Sequence, residues 1–333
     1  MGLALDIGMV VLGIAVLYWG AEWLIRGSAS VARAFGVKPI VIGLTVVAYG
    51  ASAPELAIAT KTALTHHQPI ALGTVIGSCA ANISLVLGLC ALIRPPTIDN
   101  RVIRREIPIL LGSVIAVPIL LRNGVLSRLE GGILIGCAVA FTIATLTVSA
   151  RLESDAEIEA DNEREANKKA RESGVELGGR ARPRAGRGAA ALMTAIGVIL
   201  LVAGSEAFVR GGRGIAGHVG MSERMLGLTI ISLGCAMPEL IASMVAAKRN
   251  QASLAIGSVI GSNLLNVFLV LGITAYLSPI DFGDRMHMVE LVGLVAITLL
   301  GIIVLRSDRR ISRPEGAILV AAYIGFVVAS ALF

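Results

Sequence analysis

Apolar residues fall along this chain in long runs, separated by short polar gaps. A bilayer-spanning helix needs roughly 17 to 25 such residues with some tilt. Ten runs meet that length, near 5–26, 37–62, 68–93, 105–122, 129–150, 189–210, 224–247, 251–278, 287–305 and 314–332. The pattern predicts an all-α integral membrane protein of ten transmembrane helices. The first run lacks a basic leader and is followed by Glu22, Trp23 and Arg26 rather than a small-residue cleavage site, so it reads as a span and not a signal peptide. One gap, 151–188, is far longer than the rest and divides the spans into five and five.

The two groups of five are copies. Residues 43–88 slide onto 227–272 without a gap, at a constant offset of 184, with 19 identities in 46 positions. Upstream, Glu22, Arg26, Gly27 and Gly36 fall on Glu206, Arg210, Gly211 and Gly220. Five is an odd number, so consecutive copies enter the membrane from opposite sides. The expected organisation is two inverted five-helix repeats, residues 1–150 and 189–333, joined by a charged linker over 151–188. Inverted repeats allow alternating access around one central site.

Composition agrees with a membrane solvent: 55% of the residues are hydrophobic, 16% are charged and the mean hydropathy is +0.81. The linker holds nine basic and nine acidic residues and reads as a solvated connector, with no spacing of ligands like that of an EF-hand. Basic residues favour the cytoplasmic side. With the N-terminus outside, 22 of the 29 lysines and arginines fall on that side, which makes the linker cytoplasmic and both termini external. The expected location is the plasma or inner membrane. Cys79, Cys90, Cys137 and Cys235 all lie in apolar runs without CxxC spacing, so no disulfide framework or zinc site is expected. His66, His67, His218 and His287 stand in loops or at span ends, and neither HExxH nor GxSxG occurs. An enzyme is therefore not expected, nor a cofactor, nor a nucleic-acid partner. The chain is expected to be a monomer or a loose homo-oligomer in the bilayer.

Two intramembrane carboxylates carry the chemistry. "GLTVVAYGASAPEL" at 43–56 and "GLTIISLGCAMPEL" at 227–240 each place Pro and Glu side by side, as Pro54-Glu55 and Pro238-Glu239. An ionised carboxylate in hydrocarbon is costly and is retained where it faces a cavity or counter-ion. Proline removes an amide donor, and with Gly50 and Gly234 one turn earlier it predicts broken helices with freed carbonyls at the midplane. A second motif follows in each copy, "GTVIGSCAAN" at 73–82 and "GSVIGSNLLN" at 257–266. Ser78 with Asn82, and Ser262 with Asn266, are four apart and share a helix face. Two carboxylates, carbonyls and neutral side-chain oxygens make a hard oxygen cage suited to calcium or sodium. A charge of minus two is balanced by one divalent or two monovalent cations, the chemical basis of exchange. Glu22 with Arg26 and Glu206 with Arg210, i,i+4 pairs at equivalent span ends, read as structural ion pairs rather than gating contacts.

The paired "GLTxxxxGxxxPEL" and "GxVIGSxxxN" segments resemble the two alpha-repeats of the sodium/calcium exchanger family, within the cation/calcium exchanger superfamily. The resemblance covers essentially the whole chain. It implies a ten-helix secondary-active antiporter that uses a sodium gradient to expel calcium by alternating access. By motif position it implies acidic ligands at Glu55 and Glu239, polar ligands at Ser52, Ser78, Asn82, Ser262 and Asn266, and carbonyl ligands at Ala48, Ala51, Ser232 and Cys235. The family writes Gly-Thr-Ser before Pro-Glu, whereas here the triplets are Gly50-Ala51-Ser52 and Gly234-Cys235-Ala236, so three of four hydroxyls are absent. Carbonyl ligands survive that change; sodium sites built on the hydroxyls are the ones it weakens, particularly in the second half. The alternative reading is therefore a proton-coupled exchanger of calcium or another divalent cation, with the same glutamates as proton carriers.

Overall fold

The computed structural model describes residues 2–35, 39–65, 68–96, 100–147, 187–221, 226–249, 251–281, 288–307 and 310–332. The linker up to residue 186, His66, His67 and His287 lie outside them. Among the described residues nine helices are long and apolar enough to span a bilayer, and a bent pair makes a tenth span. They are α1 (Leu3–Val31), the pair α2 (Ile40–Ala51) and α3 (Ala53–Leu64), α4 (Ile70–Ile93), α5 (Arg104–Asn123), α6 (Arg128–Thr147), α7 (Gly188–Val219), α8 (Thr229–Lys248), α9 (Ala252–Leu277), α10 (Val289–Arg306) and α11 (Arg313–Ser330). The expected ten spans are present.

The centre of the bundle is made by the motif-bearing helices. α4 and α9 are buried along most of their length, whereas α1, α6 and α11 turn large apolar side chains such as Val11, Leu129 and Ile324 outward. In a membrane protein that outer surface faces lipid. Most of the core is one cluster, with Ile76, Ile83 and Leu87 of α4 against Ile256, Val259 and Ile260 of α9.

α1 and α7 run antiparallel along a seam of glycines at seven-residue spacing, Gly13, Gly20 and Gly27 on one and Gly197, Gly204 and Gly211 on the other. A Cβ on Gly20 would stand 2.9 Å from the Leu201 nitrogen and 3.0 Å from the Gly197 oxygen. A Cβ on Gly204 would stand 2.8 Å from the Leu17 nitrogen. Backbone thus packs on backbone, which only glycine permits.

The irregular backbone lies where the motifs predict it, but not identically in the two copies. α2 and α3 bend by 40° at Ser52, whose ψ of 0° interrupts the helix just before Pro54. In the second copy Pro238 sits inside a continuous helix, Ser232–Lys248. Its irregular part ends two turns before Pro238, the π-helical Gly227–Ile231, equivalent to the π-helical Gly43–Val47 of the first copy. Two further π-helical segments, Ala81–Val86 and Asn266–Leu271, follow the second motifs. A π turn leaves the backbone hydrogen-bond ladder locally mismatched, and such turns recur at functional sites.

Connections are tied across the repeats. Val125–Leu126 (β1) pairs antiparallel with Ile280–Asp281 (β2), and the Ile311 N–H donates to the Pro96 carbonyl at 3.2 Å. α6 and α11 begin with equivalent capping boxes. Ser127 donates through its N–H and hydroxyl to Glu130 at 2.8 and 2.7 Å, and Ser312 to Glu315 at 2.7 Å through both.

Candidate ion-binding site

Glu55 lies in the first turn of α3, immediately after Pro54. Glu239 follows Pro238 within α8. Both side chains are fully buried and within electrostatic reach of one another. No oxygen of either carboxylate accepts a hydrogen bond of ordinary length, although Ser52 and Ser262 stand beside Glu239. Two buried carboxylates so sparsely hydrogen-bonded carry a high desolvation cost, which a cation between them would offset.

The residues around them are polar and also unpaired. The Ser52 and Ser262 hydroxyls and both amide atoms of Asn82 and of Asn266 are buried without a hydrogen bond. Ser78 donates to the Ser232 carbonyl at 3.3 Å, which joins the second motif of one repeat to the first motif of the other. Asn266 stands beside Cys79, and Cys79 and Cys235 both lie within reach of the two carboxylates' charges. Ala48 is fully buried against α9, where a Cβ on Gly261 would meet its side chain at 2.8 Å. Ala51, Ser232 and Cys235 are equally buried. Glu55, Glu239, Ser52, Ser262, Cys235 and Asn266 are thus brought around one centre, and Ser78 with Ser232 forms its inter-repeat joint. Asn82 and Ala48 are buried at its helix crossings. Calcium takes six to eight oxygens, and a pair of carboxylates with neutral oxygens from both repeats fits that demand. Among the described residues no group of three or more His, Cys, Asp or Glu side chains is arranged to hold a metal.

The prolines also act on carbonyls. Pro has no N–H, so the carbonyl four residues back, Gly50 or Gly234, loses its helical donor. The Ser205 hydroxyl of α7 donates to Gly234 at 2.8 Å. The equivalent position on α1 is Ala21, which has no hydroxyl to give.

Three residues beside the site are not among the ligands that the motifs imply. Tyr323 on α11 is buried against Ala81 and Ala236, with its hydroxyl beside Ser232. Ser258 is a buried, unpaired hydroxyl on α9. Asn263 keeps one unpaired amide oxygen while its nitrogen donates to Val259 at 3.2 Å. Tyr323 carries no signal in its own span: in the register set by the two capping boxes its repeat equivalent is Ala138, a small buried residue with no polar group. Ser258 and Asn263 lie within the second motif, so their position was visible although their side chains went unassigned.

The two mouths of the bundle differ. A cavity of about 390 Å³ opens at the ends of α3 and α7, walled by Lys61, Thr62, Glu206, Arg210 and Arg213 and floored by Ile58 and Val209. That floor packs directly on Cys235. At the equivalent place on the other face, Ile25 of α1 packs with Val245, Ala246 and Leu254 in a closed apolar cluster. Glu22 there pairs with Arg26 at 2.6 Å and also accepts two hydrogen bonds from Arg249, that from Nε at 3.2 Å. Among the described residues Glu206 pairs with Arg210 alone, at 2.6 Å, and the residue equivalent to Arg249 is Thr65.

Comparison with known proteins gives the family. The family model described as sodium/calcium exchanger protein matches residues 5–147 and 189–332. The membrane protein MJ0091 of Methanocaldococcus jannaschii is 32% identical over 323 residues, covering 97% of each chain. The sodium/calcium exchanger MaX1 of Methanosarcina acetivorans is 27% identical over 338 residues, covering 96% of this chain and 97% of its own. The solved structure of the sodium-calcium exchanger NCX_Mj soaked with sodium and calcium superposes with a TM-score of 0.77 at 29% identity, over 97% of this chain and 98% of that one. With both halves matched by one family model and the whole bundle superposing on a solved exchanger, the chain belongs to the sodium/calcium exchanger family and is a multi-pass cation/calcium antiporter.

Proposed function

We propose that the chain is a sodium-driven calcium exchanger working by alternating access, with calcium held between Glu55 and Glu239. The observation that carries this reading is the pair itself: two fully buried carboxylates, one from each inverted repeat, neither accepting a hydrogen bond of ordinary length. Ser52, Ser78, Asn82, Ser262 and Asn266 supply neutral oxygens, and the backbones of Ala48, Ala51, Ser232 and Cys235 supply carbonyls. Sodium as the driving ion is supported by the names of the relatives MaX1 and NCX_Mj, both sodium/calcium exchangers.

The orientation follows from the basic residues. The open cavity lies beside the turn after α3, where the Ser278 hydroxyl donates to Ala63 at 3.3 Å and Gln68 to Pro279 at 3.4 Å. The bias of lysine and arginine puts that connection outside and the 151–188 linker in the cytoplasm. The conformation is then outward-open, with the cytoplasmic mouth shut by the apolar cluster and by Glu22 with its two arginines.

A proton-coupled exchanger is the second reading. It is favoured by the missing hydroxyls at Ala51, Cys235 and Ala236, which leave fewer oxygens for sodium, and by two adjacent carboxylates able to take protons in place of sodium. Calcium-45 flux in vesicles, with sodium and pH gradients imposed separately, separates the two. Flux that follows the sodium gradient at equal pH supports the first, and flux that follows only the pH gradient supports the second. No calcium flux under either gradient sinks both.

A further inference from the structure

The outer cavity is positively charged, which is unexpected for a path that cations take. Of its charged walls, Glu206 is neutralised by Arg210 at 2.6 Å. Lys61 and Arg213 pair with no carboxylate among the described residues, and both are exposed to the cavity. Thr62, also in the cavity wall, is seven residues from Glu55 on α3, two helical turns or about 10 Å along the axis. Arg213 is close enough to the centre for its charge to act on Cys235. The equivalent residues on the closed face are Val245 and Ala29, both buried and uncharged. The two charges therefore belong to one mouth only.

We propose that Lys61 and Arg213 discriminate between cations by valence at this mouth, disfavouring calcium by the square of the factor by which they disfavour sodium. The inference rests on the reading of calcium and sodium as cargo that reaches Glu55 and Glu239 through this cavity. The square follows from electrostatics: a local potential multiplies the local concentration of a monovalent ion by some factor, and of a divalent ion by that factor squared. Low-dielectric walls sharpen the field of the two charges, and a screening length of about 8 Å at physiological ionic strength limits how much of it reaches the site. On the outward-facing side the consequence is directional. Calcium released there is discouraged from rebinding more strongly than sodium is discouraged from entering.

The test measures half-saturating calcium and half-saturating sodium at the outer face of the reconstituted chain, for wild type, Lys61→Gln, Arg213→Gln and the double variant. The double variant is expected to lower the sodium value roughly 1.5- to 2-fold and the calcium value by the square of that, roughly 2- to 4-fold, with each single variant in between. Both shifts should shrink at high ionic strength, and Lys61→Arg should behave as wild type. Equal fold-changes for the two ions, or shifts insensitive to salt, would mean that these side chains act through packing, and would overturn the proposal. Unchanged values in a wild type that does exchange the two ions would place the entry path elsewhere. A wild type that exchanges neither overturns the underlying functional reading instead, so the two failures are distinct.

Discussion

Arg249, at the end of α8, reaches Glu22 on the neighbouring α1, a residue that Arg26 already holds from one turn away. The join ties the two repeats on one face only, since Thr65 replaces the arginine at the equivalent place on the other. Arg249→Gln should loosen the closed mouth while leaving Glu22 paired to Arg26. In a background with the native cysteines replaced, a cysteine at Val245 should then react faster with an impermeant thiol reagent from the cytoplasmic side. The thermal stability should fall only modestly, by about 1 kcal/mol, as expected of a partly exposed pair. Unchanged labelling would make the apolar cluster alone the seal.

Neutralising a buried, weakly hydrogen-bonded carboxylate should help the empty protein and harm the loaded one. Glu55→Gln and Glu239→Gln are each expected to abolish calcium transport and to remove the rise in melting temperature that calcium gives wild type. Without added cation each variant should melt at or above wild type, because a costly buried charge is gone. Near wild-type transport in both would make the glutamates structural.

Restoring hydroxyls should favour sodium. A monovalent ion gains less from each carboxylate than calcium does and leans more on neutral oxygens. Ala236→Ser with Cys235→Thr is expected to lower the sodium concentration that gives half-maximal calcium efflux at fixed pH. An unchanged value would mean that Ser262, Asn266 and the carbonyls already suffice.

Tyr323 touches that same alanine and stands beside Ser232. Tyr323→Phe keeps the ring in its packing and removes only the hydroxyl. It should raise half-maximal sodium without lowering the melting temperature by more than about 1 kcal/mol in stability. A loss of stability with unchanged ion dependence would assign Tyr323 to the core.

The glycine seam can be tested by volume. Gly20→Ala places a methyl group 2.9 Å from a backbone nitrogen of α7, so the helices must part. A loss of roughly 1 to 3 kcal/mol is expected, read as a lower melting temperature in detergent. Gly136→Ala, with nothing within 4 Å of its Cβ, is the matched control.

The long apolar runs made the ten spans legible, and the fixed offset between the copies made the inverted halves legible. Glu55 and Glu239 stood out because a carboxylate in an apolar run has few other reasons to be there. What stayed hidden depends on contacts between distant residues. A repeat offset assigns Glu22 and Glu206 the same role, yet only Glu22 has Arg249 within reach, and the residue that decides this is 227 positions away. It likewise treats Pro54 and Pro238 as equal breaks, yet α2 and α3 separate at Ser52 while Ser205 supplies a donor near Pro238 and the helix runs through. Tyr323 was out of reach because nothing in its own helix distinguishes it from the lipid-facing aromatics. The seven-residue glycine spacing is present in the letters, but its meaning depends on a partner helix that the letters do not specify.

The glycine seam also bears on how the chain can be divided. α1 belongs to the first repeat and α7 to the second, and each offers the other a bare strip of main chain that no side chain of its own half covers. A half expressed alone would present that strip, and its one central glutamate, Glu55 or Glu239, to lipid. The molecule thus has the logic of an obligate heterodimer whose subunits share one polypeptide. Cutting it within 151–186 and producing both pieces together should restore a working bundle, whereas either piece alone should be degraded.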